Sequence, residues 1–308
     1  MGYIMWRDKQ IKFLTESEFS ESELINVLKE DCSNFENNSD KKILQQIIDD
    51  FEKKDFSLLS TLEISYLTRN SKEKWTPYLI HRHKFHFYEN NMQMPDFPLY
   101  LILEPVSACN LRCPFCMQID EKFTSNQKMM GMMELDLFKK IIDEAHEYGT
   151  QAITLTGRGE PTIHPKLGEM LEYCSGKFIE FKMNTNATLL NEKLIHQILK
   201  SGITDLVFSV DSYTKENFER IRKGGVFDEI LHNIKEFKKI RDEQYPNSKC
   251  VTRVSGVRVD SEQDPIKFKE FWEKYVDEIV MVEMQHRWDI YHNSKELMGD
   301  GPCHILWE

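Results

Sequence analysis

Apolar positions in the first 96 residues recur at helical spacing. Leu24, Val27 and Leu28 share one face of a stretch opened by Ser20-Glu21-Ser22-Glu23. Ile43, Leu44, Ile47, Ile48 and Phe51 form a second stripe after the turn and cap at Asn37-Asn38-Ser39-Asp40, and Leu58, Leu59, Leu62 and Leu67 continue it. Residues 1–96 therefore read as a helical N-terminal extension. From Phe97 the rhythm changes to short apolar runs alternating with amphipathic stretches. Strands are predicted over Leu99–Leu103, Ala152–Leu155, Phe178–Met183, Leu206–Val210, Val251–Val259 and Ile279–Met284. The intervening helices carry Leu135, Phe138, Ile141, Ile142 and Ala145, ended by Gly149; Leu167, Met170, Leu171 and Cys174 behind Pro165; and Leu194, Ile195, Ile198 and Leu199 behind an Asn191 cap. Helical stretches follow at 214–222 and 226–241, and Asp264 as N-cap with Pro265 at N1 starts a last helix.

Six β–α repeats with right-handed crossovers give a curved parallel sheet. Six strands are too few to close an eight-stranded barrel. The expected fold class is α/β, a partial (β/α)6 TIM-like barrel over residues 97–290 with the N-terminal extension attached. Chemistry in such sheets gathers at the C-terminal ends of the strands.

Composition adds exclusions. The 308 residues are 40% hydrophobic and 30% charged, ordinary for a soluble globular protein, and the formal charge is −11. That charge, with a pI near 5.5, argues against broad electrostatic binding of nucleic acid or anionic lipid. No run approaches the roughly 18 apolar residues of a membrane span, and the N-terminus carries no secretory signal. Seven cysteines are an odd number for a disulfide framework, so the expected compartment is the cytoplasm.

Candidate chemistry centres on residues 104–118, where Cys109, Cys113 and Cys116 fall in a CxxxCxxC spacing in the loop after the first predicted strand. Three thiolates suit a soft metal, zinc or an iron–sulfur cluster. Structural zinc needs a fourth ligand, whereas a cubane held by three cysteines leaves one iron open for chemistry. Cys174 belongs to a helix core stripe, and Cys32 reads as a passive thiol. His81, His83 and His86 share no single helix face and read as solvated or packing residues. Arg253, inside the fifth apolar run, is expensive to bury without an anion, so it is expected to meet one unless its side chain faces solvent. Glu283, Gln285, His286 and Arg287, at the end of the sixth run, are candidates for touching substrate, and Arg253 and His286 are the catalytic candidates.

The cysteine stretch resembles the cluster motif of the radical S-adenosylmethionine (radical SAM) superfamily. The resemblance continues through Gly157-Arg158-Gly159-Glu160-Pro161, Asn184-Thr185-Asn186 and Ser209-Val210-Asp211-Ser212, and covers roughly residues 98–285. It implies that Cys109, Cys113 and Cys116 hold a [4Fe–4S] cluster whose open iron chelates SAM. Phe115 would lie by the adenine. Gly157, Gly159, Glu160 and Pro161 would line the methionine amine, with Arg158 standing where the family motif has a glycine. Asn184, Asn186, Ser209 and Asp211 would meet the ribose or the methionine carboxylate, and Arg253 the SAM carboxylate or a substrate acid. The implied reaction is reductive cleavage of SAM to a 5′-deoxyadenosyl radical that abstracts hydrogen from an unidentified substrate, a peptide or a sugar or alcohol, with flavodoxin or ferredoxin as electron donor. Pro302-Cys303-His304-Ile305-Leu306-Trp307 resembles the opening of a SPASM or twitch extension. Residues 291–308 are therefore expected to be the start of a truncated auxiliary-cluster domain, with Cys303 as an auxiliary ligand. The alternatives are a zinc-stabilised binding protein and an inactive radical SAM scaffold.

Overall fold

The computed structural model describes residues 3–6, 20–35 and 38–284. Its chain divides into two compact units, with breaks between Arg7 and Asp8 and between Tyr100 and Leu101, the first seven residues belonging with the C-terminal part.

Among the described residues, the helical unit contains four α-helices, Glu21–Asn34, Asn38–Glu52, Thr61–Arg69 and Trp75–Asn90. Ser20 caps the first, its side chain accepting from the Glu23 N–H. The apolar stripes meet as predicted: Leu24, Leu28, Leu44, Ile47 and Phe51 are buried. Tyr66 and Tyr78 stack in the same unit, with ring centroids 3.6 Å apart. Leu58 and Leu59 do not continue a helix but sit in the turn before it. The Glu63 carboxylate accepts the Ser60 N–H at 3.0 Å, one half of a capping box that fixes the helix start at Thr61. All three histidines lie on Trp75–Asn90, with His81 buried.

The second unit is built on one seven-stranded sheet. The strands are β1 (Tyr3–Trp6), β2 (Tyr100–Leu103), β3 (Ala152–Leu155), β4 (Glu180–Thr185), β5 (Asp205–Ser209), β6 (Val251–Arg258) and β7 (Glu278–Glu283), in the order β1-β7-β6-β5-β4-β3-β2. From β3 to β7 each strand pairs parallel with its successor. With β2 these make the six parallel strands of a partial TIM-like barrel. The pattern did not reveal β1, which adds antiparallel to β7 with Tyr3 opposite Val282 and Trp6 opposite Ile279. A strand of four residues is too short to leave a readable period.

Strand alternation sorts the two faces. Ile153, Leu155, Phe181, Met183, Leu206, Phe208, Val254, Ile279 and Met281 pack in one core with helix residues such as Phe138, Met170, Ile198, Phe237 and Trp272. Cys174 belongs to that core, and burial pushes its thiol up to about 12. The alternate residues, among them Lys182, Asn184, Ser209, Arg253 and Ser255, face the barrel interior. No described helix is long and apolar enough to cross a membrane.

Candidate functional site

The three cysteines, the Gly157–Glu160 turn, Asn184, Asn186 and Ser209 line one cavity of ≈160 Å³ at the C-terminal ends of β2 to β5. Close backbone approach builds it. A Cβ on Gly159 would lie 2.0 Å from the Val106 carbonyl oxygen and 2.5 Å from that of Ala108. Only glycine lets the β3 loop lie against the cysteine loop, and the Glu160 N–H then donates to the Ala108 carbonyl at 2.9 Å. A Cβ on Gly157 would meet Glu104 Oε2 at 2.5 Å.

Arg158 does not interrupt this approach. Its N–H and Nε both donate to Glu104 Oε2, at 2.6 and 2.9 Å, and its Nη2 donates to Oε1 at 2.6 Å. Burial works against the Glu104 charge, but the hydrogen bonds from Arg158 hold that carboxyl below the ordinary glutamate range. Gln118 Nε2 donates to the carbonyls of Ser107 and Arg158, both at 2.7 Å, fastening the two loops together.

Glu160 is the centre of the polar wall. It is 3% exposed. Its carboxylate accepts from Thr185 Oγ1 and Thr162 Oγ1 at 2.7 Å and from the Asn186 N–H at 2.6 Å. Burial lifts its pKa above the ordinary value despite these donors. Asn186 Nδ2 reaches Asn110 Oδ1 at 2.9 Å, tying the β4 end to the cysteine loop. Asn184 Oδ1 is buried with no hydrogen-bond partner.

The cavity also contains a residue that motif reading missed. Arg222, just past the helix Lys215–Ile221, lines it and stands 5.6 Å from the Phe115 ring centroid. Its Nε and Nη2 donate to the two oxygens of Asp211, at 2.5 and 3.0 Å. Burial opposes its charge, yet Asp211 and the nearby sulfurs of Cys113 and Cys116 raise its pKa further. The only local signal was Asp211 itself, a carboxylate ending an apolar run and therefore in need of a partner; nothing in the sequence selects Arg222 over Arg220.

The structure thus brings Cys109, Cys113, Cys116, Phe115, Gly157, Gly159, Glu160, Asn184, Asn186 and Ser209 to one cavity. Four expected residues lie elsewhere, among them Glu283, exposed at the end of β7 and accepting from Arg258 Nη1 at 2.9 Å. Asp211 is fully buried behind the cavity, its carboxylate taken by Arg222 and by the Val257 N–H at 2.8 Å. Pro161 is buried at the first position of a short 3-10 turn. Arg253 sits in the N-terminal half of β6, with Nη1 3.9 Å from Glu278 Oε2, and does not line the cavity. Gln285, His286, Arg287 and Cys303 lie outside the described residues.

The donor set fits an iron–sulfur cluster with a bound amino-acid moiety. Burial pushes the Cys113 thiol up to about 11, with Arg222 opposing. No group of three His, Cys, Asp or Glu among the described residues is placed to hold a single metal ion. A cubane binds each thiolate through its own iron and needs no such convergence. The glycine cradle, the buried carboxylate of Glu160 and the unpartnered Asn184 oxygen leave room and polar groups for an ammonium-bearing ligand beside it.

The sequence profile of the family described as "Radical SAM superfamily" matches residues 103–271, more than half of the chain. Among curated proteins, the tungsten-containing aldehyde ferredoxin oxidoreductase cofactor-modifying protein of Pyrococcus furiosus is 34% identical over 113 residues, 36% of this chain and 30% of that protein. GTP 3',8-cyclase of Syntrophomonas wolfei is 26% identical over 201 residues, 65% of this chain and 59% of the cyclase. Streptococcus suis SuiB bound to S-adenosylmethionine shares the fold with a TM-score of 0.50 at 21% identity, covering 71% of this chain and 46% of SuiB. The matches cover less than two thirds of the length of each of these proteins.

Proposed function

Because the chain belongs to the radical SAM superfamily, we propose that it is an enzyme that cleaves SAM reductively and abstracts hydrogen from an unidentified substrate, a peptide or a sugar or alcohol. The observation that carries this reading is the single cavity shared by the three cysteines, the Gly157–Glu160 turn and the polar ends of β4 and β5. Bound there, a [4Fe–4S] cluster and SAM supply one electron and a sulfonium whose C–S cleavage gives a 5′-deoxyadenosyl radical.

The chain's own residues do the rest. Cys109, Cys113 and Cys116 would hold the cluster iron. Glu160, oriented by Thr162, Thr185 and the Asn186 N–H, presents the negative wall an ammonium group requires. Arg222, locked by Asp211, buttresses the Phe115 ring. Gly157 and Gly159 let the two loops lie against each other and hold the bound groups in place. A one-electron donor such as flavodoxin or ferredoxin completes the scheme. An auxiliary cluster using Cys303 and a cytoplasmic location belong to the same proposal.

Anaerobic reconstitution with iron and sulfide tests it. About four iron atoms per chain should bind, and dithionite with SAM should yield 5′-deoxyadenosine; Cys113→Ala should lose both. A colourless protein that takes up zinc would establish the binding-protein alternative. Cluster uptake without 5′-deoxyadenosine would establish an inactive scaffold.

A further inference from the structure

The turn that carries Arg222 lies directly on the cysteine loop. The N–H of Arg112, the neighbour of Cys113, donates to the Lys223 carbonyl at 2.9 Å. Gly224, with φ at +95°, comes so close that a Cβ there would stand 3.3 Å from the Asn110 carbonyl oxygen. Anchored in this way, the Arg222 side chain shares one cavity of ≈160 Å³ with Cys109, Cys113 and Cys116.

The ion pair of Arg222 with Asp211 is a dipole of fixed direction. Arg222 lines the cavity and Asp211 does not, so the positive end faces the cysteines and the negative end lies behind it. Arg222 Nε and Nη2 are taken by Asp211, whereas Nη1 makes no hydrogen bond among the described residues. Arg222 is 9% exposed and Asp211 0%, so water does little to screen their field at the sulfurs. Arg158, the other guanidinium of the cavity, is exposed and bound to Glu104, and its field is screened. Glu160, the buried carboxylate of the same cavity, has the opposite sign and is common to every variant below.

We propose that the Asp211–Arg222 pair sets the reduction potential of the cluster held by Cys109, Cys113 and Cys116, its inward positive end raising that potential. The inference rests on the proposed function for the presence of the cluster. One electron enters from the external donor, no bond forms or breaks, and the charge on the iron and its thiolates becomes more negative by one unit. A buried cation beside the sulfurs stabilises that added charge, because net charge and burial around a cluster tune how readily it is reduced. Arg222 acts on the cluster directly; Asp211 acts through Arg222, whose guanidinium it holds in one orientation.

Potentiometric titration of the reconstituted full chain without SAM, followed by EPR of the reduced cluster at equal iron content, tests this. The double variant Arg222→Met/Asp211→Asn removes both ends of the dipole without stranding a charge. It should make reduction about tenfold less favourable, a fall of about 59 mV for one electron. Asp211→Asn alone removes only the outer negative end and should move the potential upward, a sign that a merely structural role would not produce. Arg222→Lys keeps the cation and should stay within about threefold of the parent. Arg220→Met, at a side chain paired with Asp260 and Glu262 and outside the cavity, should leave the potential unchanged. Equal potentials in the parent and the double variant, or shifts of one sign in the double variant and Asp211→Asn, overturn the proposal, and with SAM cleavage intact they leave the proposed function standing. The expected shifts in a chain that yields no 5′-deoxyadenosine overturn that function and leave the electrostatic role standing. A chain that takes up no cluster overturns both.

Discussion

Replacing Arg222 by Met tests the electrostatic frame of the cavity. Asp211 is fully buried and has two kinds of donor, the Arg222 guanidinium through two hydrogen bonds and the Val257 N–H. Arg222→Met removes the countercharge and leaves the carboxylate with one backbone donor. Breaking a buried ion pair from one side costs about 3–5 kcal/mol, a large share of the ~5–15 kcal/mol that stabilises a typical protein. Adding Asp211→Asn removes the stranded charge while its side-chain oxygen still accepts from Val257, so the double variant should lose less than ~2 kcal/mol. Urea unfolding of the cluster-free protein at pH 7 measures both, with hydrogen exchange at the Val257 amide as the local readout. A single variant that costs under ~1 kcal/mol, or a double no more stable than the single, would refute the argument.

Three further predictions follow from the same geometry. Gly159→Ala drives a methyl into two carbonyl oxygens and should cost ~1–3 kcal/mol and lower iron uptake on reconstitution; Gly131→Ala, with open space around it, should do neither. Lys182, with its folded pKa lowered to about 8 from 10.5, binds its proton less tightly when folded than when unfolded. Stability should therefore rise as pH goes from about 8 to 10.5, and that rise should be missing in Lys182→Met, as chemical denaturation across this window will show. Asn191→Ala removes the cap whose oxygen accepts the Leu194 N–H at 3.0 Å and should cost ~0.5–2 kcal/mol in the same denaturation assay.

Local order was legible wherever a period or a cap repeats along the chain. β3 runs over Ala152–Leu155 as its apolar run required. Asp264 caps its helix through the Ile266 and Lys267 N–H groups, with Pro265 in the first turn. The cysteine, glycine and asparagine motifs could be placed at strand ends because each follows an apolar run directly, and the parallel sheet then brings those ends together. Arg253 shows where this stops. The sequence places a cation in an apolar strand but not which way it points, because a one-residue change in register would reverse its face.

What the sequence determined by itself was therefore periodic and short-range: six β–α repeats, their caps, and the ligand-bearing loops. Only the tertiary structure decided the pairings of groups distant along the chain: Arg222 with Asp211, Arg158 with Glu104, and β1 on the edge of β7. Helix and strand periods are written in neighbouring residues, whereas an ion pair or an edge strand depends on where the closed backbone sets two remote segments, and no local pattern encodes that distance.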